Sequence, residues 1–166
     1  MKKIYKKEEG VSPVIATILM VAITVVLAAT VWLLVSGYMG GSTQTPLTMS
    51  LTYNAQESSN ENATFDVTLS HPSQANPSNV KVTVKDSSGT TYSATGIGEG
   101  YSNAKKLGSS SSYKVYYVDL NGNGKLDTGD QIIIHTDDTT DAPLGGLTVY
   151  VYVSGYSGNT HATVPS

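Results

Sequence analysis

The chain has no cysteine and no arginine, and only one tryptophan and one phenylalanine. Without cysteine there is no disulfide framework, thiolate metal site or thiol nucleophile. Without arginine the bidentate fork that grips phosphate is missing, and the balance is acidic, a formal net charge of −3. Residues 11–166 alone carry six lysines against eleven Asp and Glu, so nucleic acid is not an expected partner. His71, His135 and His161 stand far apart with no H-x-x-x-H pairing, and all three read as surface histidines. No serine lies in G-x-S-x-G, and no glycine-rich phosphate loop follows a strand. Nothing reads as an active site, and an enzyme is the least favoured class.

Charge is also missing locally. After Glu9 and Gly10 none returns until Glu57, a run of 46 residues. A soluble domain needs charge on its surface and rarely tolerates such a gap. Ahead of it sit Lys2, Lys3, Lys6 and Lys7 with Glu8 and Glu9. Residues 11–36, "VSPVIATILMVAITVVLAATVWLLVS", would extend about 39 Å as a helix, enough to cross a bilayer core of about 30 Å with some tilt. Its many β-branched residues disfavour a helix in water. Lipid overrides that preference, because every backbone N–H must be satisfied internally. Ser12 is a candidate N-cap and Pro13 suits the first turn, while Gly37, Gly40 and Gly41 are expected to end the helix. The leader lysines place the amino terminus in the cytoplasm and the rest outside.

An ordinary secretory signal has a shorter apolar core and a small-residue cleavage site, which "VLAAT" supplies poorly. A plain membrane anchor fits length and orientation. More is explained by a resemblance. A charged leader ending in glycine, followed at once by "VSPVIATILMVAITVVLAA", resembles the class III signal and amino-terminal helix of archaeal type IV pilins. The resemblance implies cleavage between Gly10 and Val11 by a membrane-embedded prepilin peptidase, retention of the apolar helix, and polymerisation of identical subunits through it. An assembly ATPase and a membrane platform are implied partners. Bacterial type IV pilins usually carry Glu at the fifth mature residue. Here that position is Ile15, as is general in the archaeal kind, so shape rather than a buried charge pair would set register. Ala16, Thr17, Ala22, Thr24, Ala28, Ala29 and Thr30 are small enough for close helix approach. Archaellins share the signal class, and "SPVIATILM" favours the pilin branch.

Beyond a Gly/Ser/Thr connector the sequence reads as β. Seven runs (47–53, 63–70, 80–86, 90–96, 113–119, 131–136 and 147–154) recur at spacings near ten residues with turn signals between. That spacing predicts an immunoglobulin-like two-sheet sandwich. The expected core is Leu51, Phe65, Val67, Leu69, Val82, Val84, Ile133, Val149, Val151 and Val153. Tyr150 and Tyr152 alternate with valines, giving one aromatic and one aliphatic face. Tyr113 and Tyr117 share a face opposite Tyr116. Tyrosine covering an outer face is the plain reading, an adhesive or intersubunit surface the functional one. The predicted class is α+β: leader 1–10, hydrophobic helix 11–36, linker 37–46 and a β-sandwich head 47–166.

Two motifs remain. "DLNGNGKLDTGD" has the spacing of a calcium loop. Asp119, Asn121 and Asn123 offer side-chain oxygens, Gly124 permits the reversal, Lys125 gives its carbonyl, Asp127 acts through water, and Asp130 replaces the usual terminal Glu. Strands flank the motif, so the alternative is a hairpin whose acids are simply solvated. "NAT" makes Asn62 an acceptor for N-glycosylation, after an expected exposed turn. The function these readings imply is a pilus subunit with a role in surface adhesion, held in the membrane before assembly and extracellular afterwards. The competing class is a membrane-anchored monomeric binding protein that keeps its leader.

Overall fold

A computed structural model describes residues 13–39, 44–108 and 112–166. The leader, the Gly10 and Val11 processing pair, Ser12, and Gly40 and Gly41 of the connector lie outside the described residues. The chain forms two compact units, residues 1–43 and 44–166.

The first unit holds helix α1, Pro13–Met39. Proline at its start loses no hydrogen bond, since that N–H would have no partner in any helix. The helix continues through Gly37 instead of stopping there. A lone glycine costs only about 1 kcal/mol against alanine, too little to end a helix by itself. Thr17, Thr24 and Thr30 each donate their hydroxyl to the carbonyl three residues back, all at 2.9 Å. Hydroxyls that would be stranded in an apolar medium are thereby satisfied within their own helix.

The second unit is built from strands β1 (Thr45–Pro46), β2 (Thr48–Tyr53), β3 (Asn62–His71), β4 (Gln74–Ala75), β5 (Val80–Lys85), β6 (Thr91–Thr95), β7 (Gly98–Glu99), β8 (Lys105–Lys106), β9 (Tyr113–Val118), β10 (Leu126–Asp127), β11 (Gln131–Thr136), β12 (Thr148–Val153), β13 (Tyr156–Ser157) and β14 (Thr160–Thr163). One sheet runs β2-β3-β11-β9-β7, with β8 also on β9, and the other runs β14-β12-β5-β6. All pairs in these sheets are antiparallel except β7 with β9. Two short ribbons, β1 with β13 and β4 with β10, complete the domain.

The expected α+β architecture is present: a long apolar helix, then a β domain of two main sheets. Alternation explains the sheets. Along β12 the three valines are buried and Thr148, Tyr150 and Tyr152 only partly so; β5 buries Val80, Val82 and Val84. Both sheets feed one core, in which Phe65 and Val67 meet Val82, Val149 and Val151. Each fully buried side chain of this size contributes about 1.5–3 kcal/mol relative to exposure.

Ile133 corrects the core reading. Ile132 and Ile134 are fully buried while Ile133 is only partly so. The period of two sends it to the outer face, between Thr64 and Tyr116. Tyr113 and Tyr117 do share a face, but it is the inner one. Both belong to the core, so neither joins an adhesive surface.

Candidate functional site

Three features carry chemistry: the helix, the 119–130 loop and a polar cluster on the outer face of the six-stranded sheet. The helix has no acidic residue in its first turn and no basic one in its last. Its stretch Pro13–Ser36 is long and apolar enough to cross a membrane. Every large hydrophobic side chain from Val14 to Val35 is exposed in the single chain, Trp32 by 73%. Apolar surface on all sides is what a helix needs when lipid or other helices surround it.

The loop between β9 and β11 is closed by its own N–H groups. Asp119 accepts from Gly122 and Gly124, both at 2.6 Å, and from Asn121 at 3.2 Å. Those bonds, from Gly124 foremost, hold its carboxyl below the usual range. Asn121 accepts from the Asn123 N–H at 3.1 Å, and Asn123 from that of Lys125 at 2.7 Å. The amide NH₂ groups of Asn121 and Asn123 donate to the two oxygens of Asp127, at 2.8 and 2.6 Å. Asp130 is fully buried and accepts from Leu120 at 3.1 Å and Asp127 at 2.8 Å. Burial pushes its carboxyl up.

Asp119, Asn121, Asn123, Asp127 and Asp130 are thus tied into one hydrogen-bonded loop. Among the described residues no three acidic or histidine side chains converge on a point that would hold a metal.

The third feature was not legible from any motif. Cross-strand register sets Asn62 opposite His135 and His135 opposite Lys114. Asn62 Oδ1 lies 2.9 Å from His135 Nδ1, and His135 Nε2 lies 3.1 Å from Asp137. Lys114 Nζ pairs with Asp137 at 2.6 Å. A 3₁₀ turn, Tyr101–Asn103, drops Tyr101 onto this row. The Lys114 contact holds the Asp137 carboxyl below its usual range, and Asp137 raises the Lys114 ammonium in turn. His135 is thus buried, against the reading of a surface histidine, because Tyr101 covers it with ring centroids 4.8 Å apart. His71 and His161 are exposed.

Asn62 begins strand β3, and it is half-buried. Thr64 of the same acceptor triplet is buried, with its hydroxyl given to the Glu57 carbonyl at 3.0 Å.

Among the described residues, then, one apolar helix is long enough to span a membrane, and a two-sheet β domain follows it in the chain. Residues 9–48 match the family described as archaeal type IV pilin, N-terminal, so the resemblance read from "GVSPVIATILM" is borne out over this segment. A similar solved structure is the archaellum periplasmic stator protein FlaG from Sulfolobus acidocaldarius, 15% identical, covering 70% of this chain and 98% of that chain at a TM-score of 0.45. No curated protein matches the chain.

Proposed function

We propose that the chain is a non-enzymatic structural subunit of an archaeal type IV-like pilus. It is made as a membrane-held precursor, cut by the prepilin peptidase between Gly10 and Val11, and polymerised through the helix of residues 11–36. An assembly ATPase and a membrane platform drive the process, and the β domains face outward to contact surfaces. The observation that carries this reading is the charge-free helix. Its side chains are exposed on every side, and it lies within the segment matched to pilins. Lipid solvates it before assembly and neighbouring copies afterwards; charge would be unfavourable in both settings. Removing the leader removes the four lysines that would hold its end at the cytoplasmic surface.

Two observations on native material test the reading: the amino terminus of the mature chain, and electron microscopy of filaments. Val11 at the amino terminus of fibres is the expected result. Met1 retained in a membrane-bound monomer overturns it and leaves the anchored binding protein.

Calcium at the 119–130 loop is a separate part of the proposal, supported by the ligand spacing. Asn121 and Asn123 would turn their side-chain oxygens to the ion. Asp119, Asp127, Asp130 and the Lys125 carbonyl would complete the set. Calorimetric titration with calcium tests it, and absence of heat together with an unchanged melting temperature removes it. N-glycosylation of Asn62 is likewise proposed from its triplet, and mass spectrometry of native filaments decides it.

A further inference from the structure

We propose that the triplet Asn62-Ala63-Thr64 accepts its sugar only before the β domain folds, because folding closes the triplet against a transferase. The proposal rests on the reading of Asn62 as an N-glycosylation acceptor and adds when that modification takes place.

The chemistry sets what has to be accessible. Transfer joins the Asn62 amide nitrogen to the anomeric carbon of a lipid phosphate-linked oligosaccharide. The bond from that carbon to the phosphate oxygen breaks, the lipid phosphate leaves with its electron pair, and the amide gives up one proton. A carboxamide nitrogen is a poor nucleophile, because its lone pair is shared with the carbonyl. The acceptor also needs Ser or Thr two residues on, so the enzyme has to grip that hydroxyl together with the amide. Both side chains and the backbone between them must enter its cleft at once.

The folded domain holds all of these. Thr64 is 1% exposed and gives its hydroxyl to the Glu57 carbonyl at 3.0 Å. Its N–H donates to Ser58 Oγ at 2.9 Å, and its carbonyl accepts from the Asn54 N–H at 2.9 Å. The Asn62 N–H donates to Ser59 Oγ at 3.1 Å, and the Asn62 carbonyl accepts from the Ser59 N–H at 2.8 Å. Residues 54–59 thus clamp one edge of the triplet. Strand β11 takes the other, with Ala63 opposite Ile134 and Asn62 opposite His135. The His135 Nδ1 lies 2.9 Å from the Asn62 Oδ1.

Lifting the triplet into a cleft breaks bonds along both edges and draws buried Ala63 and Phe65 out of the core. That is an opening of the domain rather than of a loop tip. In the unfolded chain none of these restraints exists. The interval for modification is therefore the one between export and closure of the sheets. A sugar added in that interval can be kept: Asn62 stays half-exposed, and its NH₂ gives one hydrogen to Ser59 Oγ at 3.4 Å, leaving the other position for the glycan.

The test uses the full chain, made in a host without N-glycosylation and purified in detergent. It is incubated with membranes of the producing cell, which supply the transferase and the lipid-linked donor, and modification is followed by mass spectrometry. Three forms are compared. One is the folded native chain. The second is Val149→Asp, whose charge falls where no surface is exposed and unfolds the β domain. The third, Asn62→Gln with Ser88→Asn, moves an acceptor triplet to the exposed turn after β5. The native form is expected to be modified at least about tenfold more slowly than the unfolded one, its competent state being a small fraction, while the relocated triplet is modified in the folded chain. Should Val149→Asp keep its fold by circular dichroism, a synthetic peptide of residues 58–68 takes its place. Equal rates in the native and unfolded forms overturn the proposal. Equally slow transfer to the relocated triplet overturns it too, since the block would then lie elsewhere than at Asn62 and Thr64. Transfer to the relocated triplet but none to the unfolded form removes Asn62 as an acceptor, which is the failure of the underlying reading.

Discussion

The carboxylate of Asp130, with no exposed surface, accepts the backbone N–H of Asp127 at 2.8 Å while its other oxygen takes that of Leu120 at 3.1 Å. One side chain therefore ties both arms of the 119–130 loop. Asparagine in its place keeps the shape but sets an NH₂ against one of the two N–H groups. Asp130→Asn is expected to lower stability by about 1–3 kcal/mol, the cost of a buried donor left unmet. Denaturant unfolding of the folded chain measures it. A loss below a few tenths of a kcal/mol would mean that the loop does not depend on this tie.

Position along the helix gives the second expectation. Val25 lies near the middle of α1 and is 62% exposed in the single chain. A lysine there costs about 2.5–3.5 kcal/mol at a bilayer centre, and in the proposed filament it would meet equally apolar surroundings. Val25→Lys is expected to abolish fibres seen by electron microscopy, even where the precursor is still found in the membrane fraction. Fibres of normal number and length would remove this helix from the assembly.

Ile132 and Ile133 show how far the sequence could be read. The run "QIIIHT" announces a strand, and strand β11 lies where the run does. Three successive isoleucines, however, conceal which parity faces inward. Only the ladder decides it, by setting Ile132 opposite Phe65 and Tyr117. The valines of β12 alternate with tyrosines, so there the inner face could be read directly. The same limit hid the Tyr101 cluster, whose members come from separate segments and meet only through register. Truncation separates the two isoleucines. Ile132→Ala is expected to cost about 2–5 kcal/mol, as for a fully buried aliphatic. Ile133→Ala should cost clearly less, about half, since its burial is partial. Equal losses in denaturant melts would contradict the inward assignment of Ile132.

Asp137 and Lys114 define a pH window. The hydrogen bond from Lys114 lowers the native Asp137 value below its ordinary one, so the folded chain releases that proton more readily than the unfolded chain. The contribution is therefore complete above the ordinary aspartate range and is lost as pH falls through the lowered native value. For Lys114 the native value is raised, chiefly by Asp137. Its share is present below the ordinary lysine value and disappears as pH climbs through the raised one. Carboxyl resonances followed by NMR check the acid side. Asp137 should titrate below a free aspartate and return toward the ordinary range in Lys114→Met. An unmoved midpoint in that variant would assign the shift to something other than the ion pair.

Gly98 controls where Tyr101 sits. It lies in β7, paired in parallel with Tyr116 of β9, and the 3₁₀ turn folds back over it. A Cβ on Gly98 would stand 2.0 Å from the Asn103 carbonyl oxygen and 2.7 Å from the Asn103 Cβ. Backbone cannot yield as a flexible side-chain tip can, so the whole turn must lift. Gly98→Ala is accordingly expected to cost about 1–3 kcal/mol, as overpacking does, and to carry Tyr101 away from His135. Gly100 provides the contrast. Its φ of 71° makes a side chain strained there, yet nothing lies within 4 Å of its Cβ position. With ψ at 165° this is a backbone region essentially confined to glycine, so Gly100→Ala should cost about 1–3 kcal/mol through backbone conformation alone, with no clash pushing on the turn. The Tyr101 ring shifts neighbouring His135 proton resonances, which gives a direct reading. Those resonances should move in Gly98→Ala and stay close to native in Gly100→Ala. The reverse order would show that backbone conformation, not the room left by Gly98, positions the tyrosine.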